Sequence, residues 1–203
     1  MGSHMKALSK SLLAAPVLCL LLLLSFGCAS TPAYDYRKEP DPRAKEYEVG
    51  PLDQLKVVVW KNAELSAEVV VRPDGVITLP LIGDVRASGR TPTQIQKEIS
   101  QRYANFIRVE ESVVSVGVLQ VNSLSFTISG QVEKAGVFAV KSYVTVLEAI
   151  AMAGGTNKYA GSSAYIVRGT PSRKIPLDLK QASSGEHPEQ NIVVLRGDLI
   201  VVP

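Results

Sequence analysis

Cysteine and histidine are almost missing from this chain of 203 residues, which holds two of each. A zinc site built from clustered Cys and His has nothing to draw on. The Ser–His and Cys–His pairs of nucleophilic catalysis shrink to one position, His187, because His4 belongs to a Met1-Gly2-Ser3-His4 stretch that reads as a cloning remnant ahead of Met5. His187 lies in a polar stretch beside Glu186 and Glu189 and reads as a solvated loop residue. No serine sits in a G-x-S-x-G elbow, and Gly154-Gly155 has neither the Lys-Ser/Thr of a phosphate loop nor G-x-G-x-x-G spacing. Aromatic residues make up only 6% and include a single tryptophan. Acyl transfer, zinc hydrolysis and nucleotide binding therefore lose their sequence support, and no cofactor or metal is expected.

What the chain does have begins at its start. Lys6 and Lys10 precede an apolar run from Leu12 to Phe26, interrupted by Pro16. A run of about fifteen residues falls short of the roughly 20 that span a bilayer as a helix, so residues 1–27 read as tag remnant and removable signal peptide, and the chain as exported. The end of the run, Ser25-Phe26-Gly27-Cys28-Ala29-Ser30, resembles a lipobox, in which the Cys28 thiol takes a diacylglyceryl group. Ser25 and Phe26 stand where that pattern prefers Leu and a small residue. Ser25-x-Gly27 also satisfies the small-x-small rule of ordinary signal peptidase, under which Cys28 is incidental. Cys19 leaves with the signal, so no disulfide is available. Lys6 and Lys10 leave too, bringing 22 basic side chains to 20 against 19 acidic, a balance that makes no field for nucleic acid.

About 175 residues remain, enough for one large domain or two small ones. Residues 28–45, rich in Pro32, Pro40, Asp41, Pro42 and Arg43, show no apolar period and read as an extended lipidated tether. Valine-rich strands are expected at Leu55–Trp60, Val69–Val71, Val76–Leu79 and Val113–Val116, with Pro73-Asp74-Gly75 as a turn. One helix opens at a Thr91-Pro92-Thr93-Gln94 capping box and carries a core stripe of Ile95, Ile99, Tyr103 and Phe106. A second, short one opens at Thr145-Val146-Leu147-Glu148 and ends at Gly154-Gly155. The clean alternation of Leu124–Ser129 marks a strand and the start of a second domain, giving domains at 46–122 and 123–203. Gln181–Asn191 reads as a surface loop. Asp53-Gln54-Leu55-Lys56-Val57-Val58 after Gly50-Pro51 faintly echoes Asp198-Leu199-Ile200-Val201-Val202 after Gly197.

Carboxylates are the remaining route to chemistry. Glu110 and Glu111 are adjacent at an expected strand start, so their side chains diverge, while Asp74, Asp84 and Asp198 adjoin glycines in turns, where Asp bonds its own backbone. Trp60, Tyr47 and Tyr103 could stack on a sugar ring, but beside apolar stripes they read as core.

The order of these motifs carries a resemblance. Tyr47-Glu48-Val49-Gly50-Pro51-Leu52-Asp53, Val71-Arg72-Pro73-Asp74-Gly75, Leu79-Pro80-Leu81-Ile82-Gly83-Asp84-Val85 and Val85–Thr91 with its helix resemble the polysaccharide-export domain of the outer-membrane polysaccharide export (Wza-like) family. Gly130-Gln131-Val132 with Gly136-Val137-Phe138, then Ala149–Gly155, then Arg196-Gly197-Asp198 to Pro203, resemble that family's soluble ligand-binding β-grasp (SLBB) domain. One departure is Leu52, in the place of the glycine in a Gly-Pro-Gly-Asp turn, since Leu tolerates positive φ poorly.

The resemblance implies an α+β chain of two small β-rich domains, a polysaccharide-export domain followed by a β-grasp domain. The motif residues Tyr47, Gly50, Pro51, Asp53, Pro73, Asp74, Gly75, Gly83, Gly130, Gly136, Gly154, Gly155, Gly197 and Asp198 are then structural positions, and Cys28 the lipid attachment site. It further implies a non-enzymatic, homo-oligomeric ring at the periplasmic face of a Gram-negative outer membrane, passing a capsular polysaccharide or exopolysaccharide from a co-polymerase or other export machinery in the inner membrane. Ala29, in place of an aspartate that retains lipoproteins in the inner membrane, suits the outer one. Longer relatives continue into an amphipathic membrane helix, whereas this chain stops at Val202-Pro203. It is expected to work with a separate outer-membrane β-barrel pore, since Ile192–Leu195 and Leu199–Val202 are only strand-length. The rival readings are a monomeric periplasmic glycan-binding protein and a glycan hydrolase.

Overall fold

The computed structural model describes residues 34–106 and 114–203. Cys28, the signal peptide and Glu110-Glu111 lie outside these residues. In the first half, three strands form an antiparallel sheet in the order β2-β1-β5: β1 Gln54–Val59, β2 Ala67–Val70 and β5 Val114–Gln120. The central strand β1 alternates, with Leu55, Val57 and Val59 inward, as β-branched residues on a half-buried pleat do. β3 Val76–Leu79 and β4 Gly83–Arg86 form a separate hairpin.

Helix α1, Pro92–Tyr103, opens on the expected capping box: Thr91 Oγ1 accepts from Gln94 N at 3.3 Å and Gln94 Oε1 accepts from Thr91 N at 3.1 Å. Ile95, Ile99 and Tyr103 face a core with Leu55, Val57, Ile77, Leu79 and Val85, all of them 3% exposed or less. At roughly 1.5–3 kcal/mol for each fully buried large aliphatic chain, this stripe, rather than helix propensity, stabilises α1.

Two expectations fail in this half. Phe106 is 57% exposed, because α1 ends at Tyr103 and Phe106 sits in the turn beyond it, off the helical stripe. Trp60 is 60% exposed. With Leu55, Val57 and Val59 inward, the period of two sends Trp60 outward with Lys56, so the alternation overrules the aromatic's hydrophobicity.

The second half builds a five-stranded mixed sheet, β7-β6-β10-β8-β9. β6 is Ser125–Gly130, β7 Gly136–Ala139, β8 Ser163–Arg168, β9 Arg173–Asp178 and β10 Leu199–Val202. The last strand enters the middle, parallel to β6 and antiparallel to β8. Gly130 is obligatory, because with φ 92° a Cβ there would collide with the Val202 carbonyl. Helix α2, Val146–Met152, has the expected Thr145–Glu148 capping box and buries Val146, Ala149 and Ile150.

A third helix, α3 Leu179–Ser184, corrects the reading of Gln181–Asn191 as a loop. Asp178 caps it, accepting from Lys180 N at 3.0 Å and Gln181 N at 3.1 Å, and Gly185 ends it at φ 81°. Only Ala182 of this helix is buried, so no apolar period marks it. The described part of the expected extended tether also differs. It forms two 3-10 turns, Tyr36–Lys38 and Pro42–Ala44, each headed by an aspartate, and residues Asp35–Pro203 pack as one compact unit.

Candidate functional site

The two halves meet at a carboxylate. Asp53, fully buried just before β1, accepts five hydrogen bonds. Oδ1 takes the backbone N–H groups of Asn122 and Ser123, both at 2.8 Å. Oδ2 takes Gly50 N at 2.8 Å, the Tyr47 hydroxyl at 2.5 Å and Ser123 Oγ at 3.0 Å. One side chain thus ties the approach to β1, the turn before it and the 121–124 linker between the halves. Burial pushes this carboxyl up, but the hydroxyl of Tyr47 and the N–H groups of Gly50, Asn122 and Ser123 outweigh it and hold it below the ordinary aspartate range. Tyr47 moves the other way, pushed up to about 12 by burial and by its bond to Asp53.

The faint internal echo has a structural counterpart. In Leu195-Arg196-Gly197-Asp198 the aspartate Oδ2 accepts from Leu195 N at 2.8 Å, as Asp53 does from Gly50 N, and both aspartates precede the strand at the middle of their sheet. The third turn residue has φ 78° at Gly197 and φ 72° at Leu52. The substitution of Leu in the first turn therefore leaves its backbone shape intact, with the strain carried by Leu52. Arg196 connects the two turns. Its Nη2 donates to the Glu48 carbonyl at 3.2 Å, and its guanidinium lies against Gly50 where any Cβ would collide.

Asp198 has a second task that turn-making did not foresee. Arg168, on β8, points into the core and donates to it from Nε at 3.0 and 3.1 Å and from Nη2 at 2.6 Å, with Nη2 also on the Val193 carbonyl at 2.7 Å. Nη1 of the same guanidinium reaches Glu39 at 2.8 Å. The signal was in the alternation Ala164, Ile166, Arg168: a charge at an inward position needs a partner.

Beside these turns runs a cleft of about 290 Å³, lined by Pro40, Lys45, Glu48, Leu124, Tyr143 and Arg196 among others. Tyr143 lies tilted at 53° to Tyr47 with 6.5 Å between ring centres.

The remaining motif positions are dispersed turns. Pro73-Asp74-Gly75 joins β2 to β3, with Gly75 at φ 84° and Asp74 Oδ2 accepting from Arg72 at 2.6 Å. Gly83 opens β4, and Gly136 opens β7 across the turn from Gly130. Gly154 and Gly155 close α2, Gly155 N donating to Ile150 O at 2.9 Å and Gly154 N to Ala151 O at 3.0 Å. Pro51 sits second in the Asp53 turn. Of the motif residues, then, the fold gathers Tyr47, Gly50, Pro51 and Asp53 and, through Arg196, Gly197 and Asp198. Tyr103 is buried as expected. Among the described residues no group of three His, Cys, Asp or Glu could hold a metal ion, and no helix is long and apolar enough to cross a membrane.

The two family-model matches fall on either side of the passage from β5, in the three-stranded sheet, to β6, in the five-stranded one. Residues 41–119 match the model described as polysaccharide biosynthesis/export protein, and residues 125–176 match the SLBB domain. The chain carries a polysaccharide biosynthesis/export domain followed by an SLBB domain. The gap between the two matches holds Asn122 and Ser123, the linker residues that Asp53 grips. Among curated proteins, the exopolysaccharide production protein ExoF of Rhizobium meliloti is 30% identical over 57% of this chain and 30% of its own length. The EPS I polysaccharide export outer membrane protein EpsA of Ralstonia nicotianae is 24% identical over 79% of this chain and 48% of its own. The capsule polysaccharide export outer membrane protein CtrA of Neisseria meningitidis is 26% identical over 66% and 34%. The chain thus spans between about a third and a half of the length of these relatives.

Proposed function

We propose that this chain is a non-catalytic, ring-forming component of a polysaccharide export system, held at the periplasmic face of the outer membrane by lipid on Cys28. Its cargo is a capsular polysaccharide or exopolysaccharide chain, and its partners are the inner-membrane export machinery and an outer-membrane β-barrel pore. The observation that carries this reading is the succession of an export domain and an SLBB domain joined by hydrogen bonds at Asp53 and Arg196, in a chain whose relatives are named for polysaccharide export. A junction held by buried hydrogen bonds favours closed assembly, because each added subunit then repeats one interface at one angle. Edge strand β7 offers such a surface, with Val137 74% exposed.

The test is the mass of the acylated protein in mild detergent together with the phenotype of a gene deletion. A defined oligomer, and polysaccharide lost from the surface while it accumulates inside, are expected. A strict monomer at high concentration, or longer surface chains in the deletion, counts against the ring.

The cleft favours a second reading, a monomeric glycan-binding protein. Tyr143 gives an apolar face and Lys45, Glu48 and Arg196 give hydrogen-bonding groups, which is the chemistry that holds a sugar ring. Titration with oligosaccharides of the exported polymer separates the two, since tight binding by a monomer, abolished by Tyr143→Ala, supports the second.

A further inference from the structure

Residues 35–46 run ahead of β1 and overlap the start of the export-domain match at residue 41; Tyr36 and Glu39 contact the SLBB domain, and Glu46 contacts α1. The Tyr36 hydroxyl donates to the Pro176 carbonyl on β9 at 2.7 Å. The Glu39 side chain, 2% exposed, accepts from Arg168 Nη1 at 2.8 Å and from Arg173 Nη2 at 2.7 Å. At the far end, Glu46 Oε1 accepts from Thr93 N at 3.0 Å and Thr93 Oγ1 at 2.8 Å, on the first turn of α1. The segment therefore bridges both domains and forms one wall of the cleft.

We propose that residues 35–46 are a docked strap with Glu39 as its releasable latch, tying the membrane anchor to the β8–β9 edge of the SLBB domain. The docking stands on the contacts above; what the strap is tied to rests on the lipid-anchor reading. The latch is releasable because of how Arg168 is held. Asp198 grips the guanidinium from two nitrogens and Val193 accepts from it as well, so withdrawal of Glu39 orphans no buried cation. Glu39 meanwhile regains water. A segment whose departure strands no charge opens locally, below the cost of global unfolding.

The consequence is a change of reach. From Cys28 to Asp35 the chain extends about 25 Å at most, whereas with the strap undocked as far as Glu46 it extends about 60 Å, at roughly 3.3–3.6 Å per residue. Docked, the SLBB edge is held near the membrane; released, the whole body swings on the longer leash.

Hydrogen–deuterium exchange of the acylated full chain in mild detergent tests the docking. Amides of residues 36–46 are expected to exchange at least tenfold faster in Glu39→Ala than in wild type, with peptides from β1 and β10 unchanged. Equal exchange in the two proteins overturns the latch. If β10 also loses protection in Glu39→Ala, Arg173→Ala replaces it, since Arg173 is half exposed and leaves Arg168 on Asp198. A several-fold rise confined to the strap supports the latch, and no rise refutes it. The leash is read on phosphatidylethanolamine–phosphatidylglycerol vesicles carrying an acceptor lipid, with a dye on Ser172→Cys at the β8–β9 turn. Energy transfer is expected to fall on adding Glu39→Ala, and unchanged transfer refutes the shortened reach. Failure of the wild type to bind vesicles removes the anchor while leaving the exchange result standing.

Discussion

Replacing Asp53 by asparagine tests the junction with a change of almost no volume. The two N–H groups on Oδ1, from Asn122 and Ser123, are fixed by the backbone, so the asparagine carbonyl must stay there and its NH₂ must take the place of Oδ2. At that place the hydroxyls of Tyr47 and Ser123 can rotate to accept, but Gly50 N–H cannot. One buried donor is left facing another, at about 1–3 kcal/mol, and the remaining bonds lose their charge assistance, at about another 1 kcal/mol together, for a sum near 3 kcal/mol. With a urea slope of about 2 kcal/mol/M, the midpoint should fall by about 1.5 M. Urea melts followed by circular dichroism at pH 7 measure this. The effect is also pH-dependent with a definite sign. Asp53 is held below the ordinary range, so its contribution is full above the unfolded aspartate pKa and is lost as pH falls through its own lowered value. The gap between wild type and Asp53→Asn should close there. A midpoint shift under about 0.2 M at pH 7, or a gap that does not narrow as pH falls below the unfolded aspartate range, would refute the assignment of Asp53 as the junction carboxylate.

Other consequences are open to measurement. Leu52→Gly relieves a left-handed leucine that is 56% exposed and should raise stability by about 0.5–1 kcal/mol in the same melts, whereas a loss would show that the leucine side chain matters more than its φ. Arg168→Met strips the buried carboxylate of Asp198 of its guanidinium, while Glu39 keeps Arg173, and should cost about 3–5 kcal/mol, well above the cost of Glu39→Ala; equal costs would contradict the latch geometry. Tyr47 retains its proton to about 12, so its contribution is complete below pH 10 and disappears as pH rises through 12. Absorbance titration of tyrosinate should show Tyr47→Phe removing one late-ionising group, and an unchanged late fraction would count against the bond to Asp53.

Some of this protein was written in local order along the chain. Both capping boxes, the stripe of Ile95, Ile99 and Tyr103, and the alternation of β1 and β6 are set by neighbours within a few residues, so they are legible without a fold. The order of the two domains was legible for the same reason, since each motif turn is local. Trp60 follows its strand's period outward against the pull of its hydrophobicity, and α3, with one buried residue, has no apolar period to read. Nothing in the sequence around Asp53 names Ser123, 70 residues away, and nothing around Glu39 names Arg168, 129 residues away. Partner choice at such distances is made by whichever donors the packed sheets bring to a buried carboxylate, because a charge removed from water must be satisfied by what surrounds it. The chain by itself determined its turns, caps and most of its strands, and thereby the order of its export and SLBB domains. Only the tertiary structure decided that one aspartate binds the two domains together and that a supposed tether is held in place by a buried glutamate.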